Sequence, residues 1–213
     1  MSARYPGYDV LAKRYSPSWN EKTRRVIDER LAVRREPRFL TEPEWRTLEA
    51  LCSRVVSQRP AHPPVPLAAF VDAKLFADAR DGYRDARLPP LREAWRRGLA
   101  ALDAEARQRA NVDFHALDAA EQDALLRAAQ DGTLAHAAWG DLSPKLFFSK
   151  RVLPDIVSAY YGHPTAWNEI GFGGPASPRG YVRMDFDRRD PWEAAEAKPD
   201  HEAEAAKINA RVG

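Results

Sequence analysis

Thr41-Glu42-Pro43-Glu44-Trp45-Arg46-Thr47-Leu48-Glu49-Ala50-Leu51-Cys52-Ser53-Arg54-Val55-Val56 carries the periodicity on which the fold turns. Thr41 and Glu44 stand at capping-box spacing, where the hydroxyl takes an orphan amide and the carboxylate reaches back to the cap's own N–H. Trp45, Leu48, Leu51, Cys52, Val55 and Val56 then recur at intervals of three and four, which places all six on one helical stripe. The spacing predicts a core-facing helix over about 42–58. On such a stripe the Cys52 thiol behaves as a small hydrophobe with a raised pKa and little reactivity.

The same logic extends in both directions. Ser18 and Glu21 repeat the capping box and predict a helix over 19–33, preceded by an aromatic arm of Tyr5, Tyr8, Tyr15 and Trp19. That arm either packs on the protein's own body or meets a partner. Pro60, Pro63, Pro64 and Pro66 make residues 59–66, which include His62, an extended connector. Leu67, Phe70, Val71 and Leu75 then face inward on a third helix, and residues 78–90 form a polar loop ending in Pro89-Pro90. A fourth stripe runs through Leu91, Trp95, Leu99 and Leu102. Asp118 and Glu121 form a third capping box, with Gly132 placed to end that helix. Ser143 and Pro144 open a sixth helix carrying Leu146, Phe147, Phe148, Val152, Ile156, Val157 and Tyr160, kinked at Pro154. No strand pair with hairpin chemistry appears. The expected fold is all-α: a single domain of about six helices, with an N-terminal arm and first helix over 1–38, the helical body over 39–192, and a charged tail over 193–213 that is frayed or disordered.

Residues 162–181 break the pattern. They hold five of the eleven glycines and three prolines among aromatics, a mixture in which no regular element is expected, so the segment is either functional or packed down as a belt. Aromatic and Arg side chains dominate binding hot spots, which makes Trp167, Phe172, Gly173, Gly174, Pro175, Arg179, Gly180 and Tyr181 candidate partner-interface residues.

Chemistry is otherwise scarce. The 33 basic and 31 acidic residues leave a formal charge of +2, with 26 Arg against 7 Lys, and no nucleic-acid footprint emerges from such interspersed charge. Mean hydropathy is −0.58, and no apolar run reaches the roughly 20 residues of a membrane span. A single cysteine builds neither a disulfide nor a thiolate metal cluster. None of His62, His115, His136, His163 and His201 stands four residues from another, so no metal ligand pair is expected. Gly171-Phe172-Gly173-Gly174 lacks the Lys-Ser/Thr of a phosphate loop, and Pro175 and Pro178 bar a following helix. Asp185, Asp187 and Asp190 alternate with Arg183, Arg188 and Arg189, the make-up of a salt-bridged surface. The first twenty residues carry no apolar signal region, and Arg24-Arg25 is followed by Val-Ile-Asp-Glu rather than an apolar stretch, so a cytoplasmic location is expected.

Four stretches, in order, resemble the gluconate 2-dehydrogenase subunit 3 family: 39–56 (Phe-Leu-Thr-Glu-Pro-Glu-Trp onward), 96–103 (Arg-Arg-Gly-Leu-Ala-Ala-Leu-Asp), 114–126 (Phe-His-Ala-Leu-Asp onward), and the closing Gly-Phe-Gly-Gly-Pro…Arg-Gly-Tyr within 167–181. The resemblance implies a non-catalytic small subunit that supports maturation, stability or export of a flavin-dependent glucose–methanol–choline (GMC) type dehydrogenase of a sugar, sugar acid or related alcohol. It places FAD in the large partner and haem in a third, cytochrome c subunit where one is present, with no cofactor, metal or catalytic residue on this chain. Members of the family often carry a twin-arginine signal, which this sequence does not show, and the periplasmic side remains open if the partner carries the export signal. Two other readings stand beside it: a stand-alone helical adaptor, and a small hydrolase or isomerase with a cleft at 162–181 using His163, Glu169 and Arg179.

Overall fold

The computed structural model describes residues 3–58, 63–79, 82, 85–186 and 188–212. Arg59 to His62 of the connector, four positions of the 78–90 loop, and Asp187 of the acidic run lie outside them. The described helices are Glu21–Leu31 (α1), Glu42–Val55 (α2), Leu67–Phe76 (α3), Leu91–Ala110 (α4), Ala119–Asp131 (α5), Pro144–Phe147 (α6), Leu153–Tyr161 (α7), Pro164–Ile170 (α8) and Glu202–Asn209 (α9), with a 3-10 helix at Val10–Tyr15. No strand occurs among the described residues, so the fold is all-α as the periodicity indicates.

The chain folds as two compact units, one of residues 34–60 and 64–160, the other of residues 1–33, 61–63 and 161–213. This division differs from the expected 1–38, 39–192 and 193–213, because both chain ends contribute to the same unit.

In the helical unit the reciprocal cap at α2 forms, with the Thr41 N–H donating to Glu44 Oε2 at 2.8 Å, and Leu48, Leu51 and Cys52 are buried behind it. Asp118 and Glu121 make the same exchange at α5, at 2.8 and 3.1 Å, and Gly132 closes the helix at φ +77°, where a side chain would be strained. Buried acids tie the helices together. Asp103 of α4 accepts from Thr47 Oγ1 of α2 and from the Phe114 N–H, and burial raises its pKa. Asp155 of α7 accepts from Trp95 Nε1 and from Lys74 Nζ, each at 2.8 Å. Asp72, fully buried on α3, accepts the backbone N–H groups of Arg38, Phe39 and Leu40 just ahead of α2. Where a kink at Pro154 is expected, the structure has a π-helical turn over Phe148–Val152, which ends one residue before the proline that has no N–H to continue the ladder.

In the terminal unit three expectations need correction. The first helix is capped by Asn20, whose Oδ1 accepts the Thr23 N–H at 2.9 Å, and not by Ser18, whose Oγ is engaged by Lys13. Residues 162–181 do contain a regular element, α8: Pro164 occupies its first turn, His163 Nδ1 accepts the Thr165 N–H at 3.2 Å, and Gly171 ends it at φ +67°. The prolines and glycines here mark the ends of a helix rather than its absence. Residues 193–212 are also ordered by contacts: Asn209 exchanges hydrogen bonds with Ala195 and donates to Pro6 O, and the Ala197 N–H donates to Arg4 O. Tyr8, Val10, Trp19, Ile27, Trp167, Trp192 and Val212 make the core of this unit. Most of the aromatic arm therefore packs on its own body, while Tyr15 stays exposed.

Candidate functional site

Of the eight residues singled out from 162–181, the structure turns some inward and leaves others at the surface. Trp167 is buried on α8, its Nε1 donating to Tyr161 O at 2.6 Å. Gly174 lies against it at φ +68°, where a Cβ would come within 2.9 Å of the Trp167 ring and 3.2 Å of Trp19. These two build the core of the terminal unit. Pro175 is half-buried, and the Ser177 N–H donates to Ser18 O while the Asn20 N–H donates to Ser177 O, which pins the loop to the arm. Arg179 lies over the Trp192 ring at 4.8 Å and pairs with Asp190 at 2.7 Å; Gly180, at φ +81°, turns the chain outward.

Beyond that turn the surface changes. Phe172 meets Trp167 edge-on at 5.8 Å and carries Tyr181 stacked on its outer side at 6.2 Å. Tyr181 is 71 % exposed, Val182 77 %, Met184 68 % and Phe186 93 %. Four large apolar side chains within six residues, all turned to solvent, form a strip of the kind that marks an interaction site. Sequence reasoning found Tyr181 and missed Val182, Met184 and Phe186, because their alternation with Arg183 and Asp185 reads as a salt-bridged surface. The charges themselves find partners elsewhere: Arg183 with Glu193 at 2.9 Å, and Asp190 with Arg179.

Beneath the loop lies Lys13, also missed. Its side chain is 2 % exposed, its Nζ donates to Ser18 Oγ at 3.1 Å, and it stands 5.4 Å above the Trp19 ring. Burial, reinforced by the nearby Arg179 charge and opposed by Glu193, lowers its pKa to about 8. The unfolded chain holds this proton up to its ordinary pKa of about 10.4. Between pH 8 and that value the unfolded state therefore binds more protons than the folded state, so stability rises with pH across the window, by up to about 3 kcal/mol. Burial pushes Tyr8 up to about 12, which works in the opposite direction above pH 10. Urea unfolding at pH 7, 8, 9 and 10 should therefore show the wild type gaining on Lys13→Met, most of it above pH 8; a constant difference would show that Lys13 keeps its ordinary pKa in the folded unit.

Two members of the alternative catalytic set make structural contacts. His163 commits Nδ1 to the α8 cap, and Arg179 is committed to Asp190 and Trp192. The Cys52 thiol is buried with its pKa raised by desolvation. Among the described residues no group of three or more His, Cys, Asp or Glu is placed to hold a metal ion. No helix among the described residues is long and apolar enough to cross a membrane.

Fold and surface together define an all-α chain with a helical body and a terminal unit that displays an apolar strip. The chain belongs to the gluconate 2-dehydrogenase subunit 3 family, whose model matches residues 42–174. That match runs from the first turn of α2 through α8 to Gly174 and stops before the exposed strip. The family name places the chain among the subunits of a multi-subunit dehydrogenase. No curated protein and no solved structure matches the chain.

Proposed function

We propose that this chain is the non-catalytic small subunit of an FAD-dependent, GMC-type dehydrogenase of a gluconate-like sugar or alcohol, and that it binds the flavoprotein subunit and supports its maturation or stability. The flavin belongs to that partner, and a haem-bearing cytochrome c subunit completes the electron path where the complex has one. The observation that carries the reading is the strip of Tyr181, Val182, Met184 and Phe186, exposed on a chain whose family is a dehydrogenase subunit. Large apolar side chains held in water on an otherwise well-packed unit gain by burial against another surface, at about 25 cal/mol per Å². Phe172, stacked on Tyr181, extends the same face.

Co-expression with a flavoprotein subunit of this dehydrogenase class, followed by affinity capture, tests the reading. The wild-type chain should carry the flavoprotein with it, and the flavoprotein made alone should hold less FAD and oxidise its substrate more slowly. Met184→Asp with Phe186→Asp, both at solvent-exposed positions, should leave the fold intact and weaken capture at least tenfold, about 1.4 kcal/mol. A fully active, FAD-loaded flavoprotein recovered without this chain would dismiss the proposal.

A further inference from the structure

The terminal unit encloses a hollow of about 280 Å³, many times what one water needs. Its charged lining is unequal. Arg179 is taken by Asp190 and Arg183 by Glu193, and these pairs use both carboxylates that line the space among the described residues. Lys13 is the remaining cation, and Ser18 Oγ is the one hydrogen-bond acceptor it has among the described residues. An ammonium carries three donors, so two of its N–H groups are left for something else. A buried cation without a counter-ion costs several kcal/mol and persists where something that compensates it arrives. The approach to it is kept open by Gly173, where a Cβ would stand 3.1 Å from Nζ. Trp19, under the same ammonium, has its Nε1 buried with no acceptor among the described residues. Tyr181 and Arg183, both exposed, line the hollow as well, and Trp192 supplies an aromatic wall.

We propose that this hollow is a carboxylate site: an organic acid, either a free small molecule or the terminus or acidic side chain of another polypeptide, seats an oxygen on Lys13 Nζ. A single negative charge balances the described lining, since its three cations and two carboxylates leave one charge over. A carboxylate fits the donor set, with one oxygen on the ammonium and the organic body against the Trp192 side. The Tyr8 hydroxyl, 4.0 Å from a Cβ built at Gly173, borders the same space and stays protonated at neutral pH. The inference goes beyond the docking surface and does not depend on it, because its test needs the full chain alone.

The probes are benzoate with benzamide as its uncharged counterpart, and a short peptide ending in phenylalanine with its terminus free or amidated, each titrated against tryptophan fluorescence. The charged member of at least one pair should bind ten times more tightly than its neutral counterpart, and Lys13→Met should lose that preference. Benzoate responding alone identifies a free acid as the occupant; the free-ended peptide responding alone identifies a polypeptide. In the wild-type chain, saturation should raise the Lys13 pKa by at least one unit, followed through the 13Cε shift of labelled lysine, and this readout does not require the variant to fold. Equal binding of charged and neutral members, no binding by any probe, or full affinity retained by Lys13→Met would overturn the proposal, whatever the outcome of flavoprotein capture.

Discussion

Gly98→Ala should destabilise the protein by about 2–4 kcal/mol, although the same change in an ordinary helix interior gains up to about 1 kcal/mol. Gly98 sits in the middle of α4 with helical backbone, so neither a turn nor a positive φ explains it. The reason is steric. A Cβ there would lie 2.2 Å from Phe147 Cζ and 2.4 and 2.5 Å from the two Cε atoms, distances no real carbon pair adopts. The ring has nowhere to retreat: Phe147 is buried, edge-on to Trp95 at 5.6 Å and tilted against Trp139 at 6.1 Å. Trp95 in turn is fixed through Nε1 to Asp155. Relief thus requires moving α6 away from α4 or driving Phe147 off its rotamer, and overpacking of this kind outweighs the helical gain. Thermal unfolding should show a fall in Tm of about 5–15 °C for a chain of this length. Phe147→Leu in the Gly98→Ala background should recover part of the loss, giving a coupling energy of about 1 kcal/mol or more in a double-mutant cycle. A Gly98→Ala protein more stable than the wild type would show that the aromatic cluster yields at little cost.

What could be read from the sequence follows the range of the interactions involved. The α2 and α5 caps, the stripes of Leu48, Leu51 and Leu99, and the stop at Gly132 are set by residues within four or five positions, and all appear where the spacing puts them. Ser18 misled because it has the right spacing to Glu21 but a competing partner: with Lys13 on its hydroxyl, the cap passes to Asn20 two residues on. α8 is not evident from the sequence because Pro164 and Gly171 look like breakers inside a segment, when they are its boundary residues. The interface residues divide according to a core the sequence does not display. Trp19, Trp167 and Trp192 converge from positions 173 residues apart at the extremes, and only that convergence decides that Trp167 and Gly174 face inward while Tyr181 faces out. Lys13 carries no local signal at all, since a lysine in an aromatic arm reads as a solvated charge until the C-terminal loop closes over it. Asp72 did leave a trace: it is the one acid in Leu-Ala-Ala-Phe-Val-Asp-Ala-Lys-Leu-Phe, an otherwise apolar helix, and a lone carboxylate on a buried element needs donors.

Those donors give the second large effect. Asp72→Asn should cost about 3 kcal/mol, and Asp72→Ala at least as much, with unfolding by urea as the measurement. Asp72 Oδ2 accepts the Arg38 N–H at 2.7 Å, Oδ1 accepts the Leu40 N–H at 2.8 Å, and the Phe39 N–H is shared between them at 3.1 and 3.2 Å. One carboxylate thereby satisfies three consecutive backbone donors immediately before Thr41, the cap of α2, and fixes how the chain approaches the helix that supplies Trp45, Leu48 and Leu51 to the core. Asparagine matches the shape and keeps one oxygen, but its NH₂ group must face a backbone N–H, replacing an attraction by a donor–donor contact. Alanine leaves all three amides without the acceptor. Water can reach the Arg38 amide, on an exposed residue, and much less the Leu40 amide, so the alanine loss stays below the sum of three charge-assisted bonds. Asp72→Glu keeps the charge but pushes the carboxylate one methylene further from α3 into the 38–40 segment, and should fall between wild type and Asn. If Asn and wild type unfold at the same urea concentration, the three amides do not depend on the negative charge, and the path of the chain into α2 must be held by the Thr41–Glu44 cap alone.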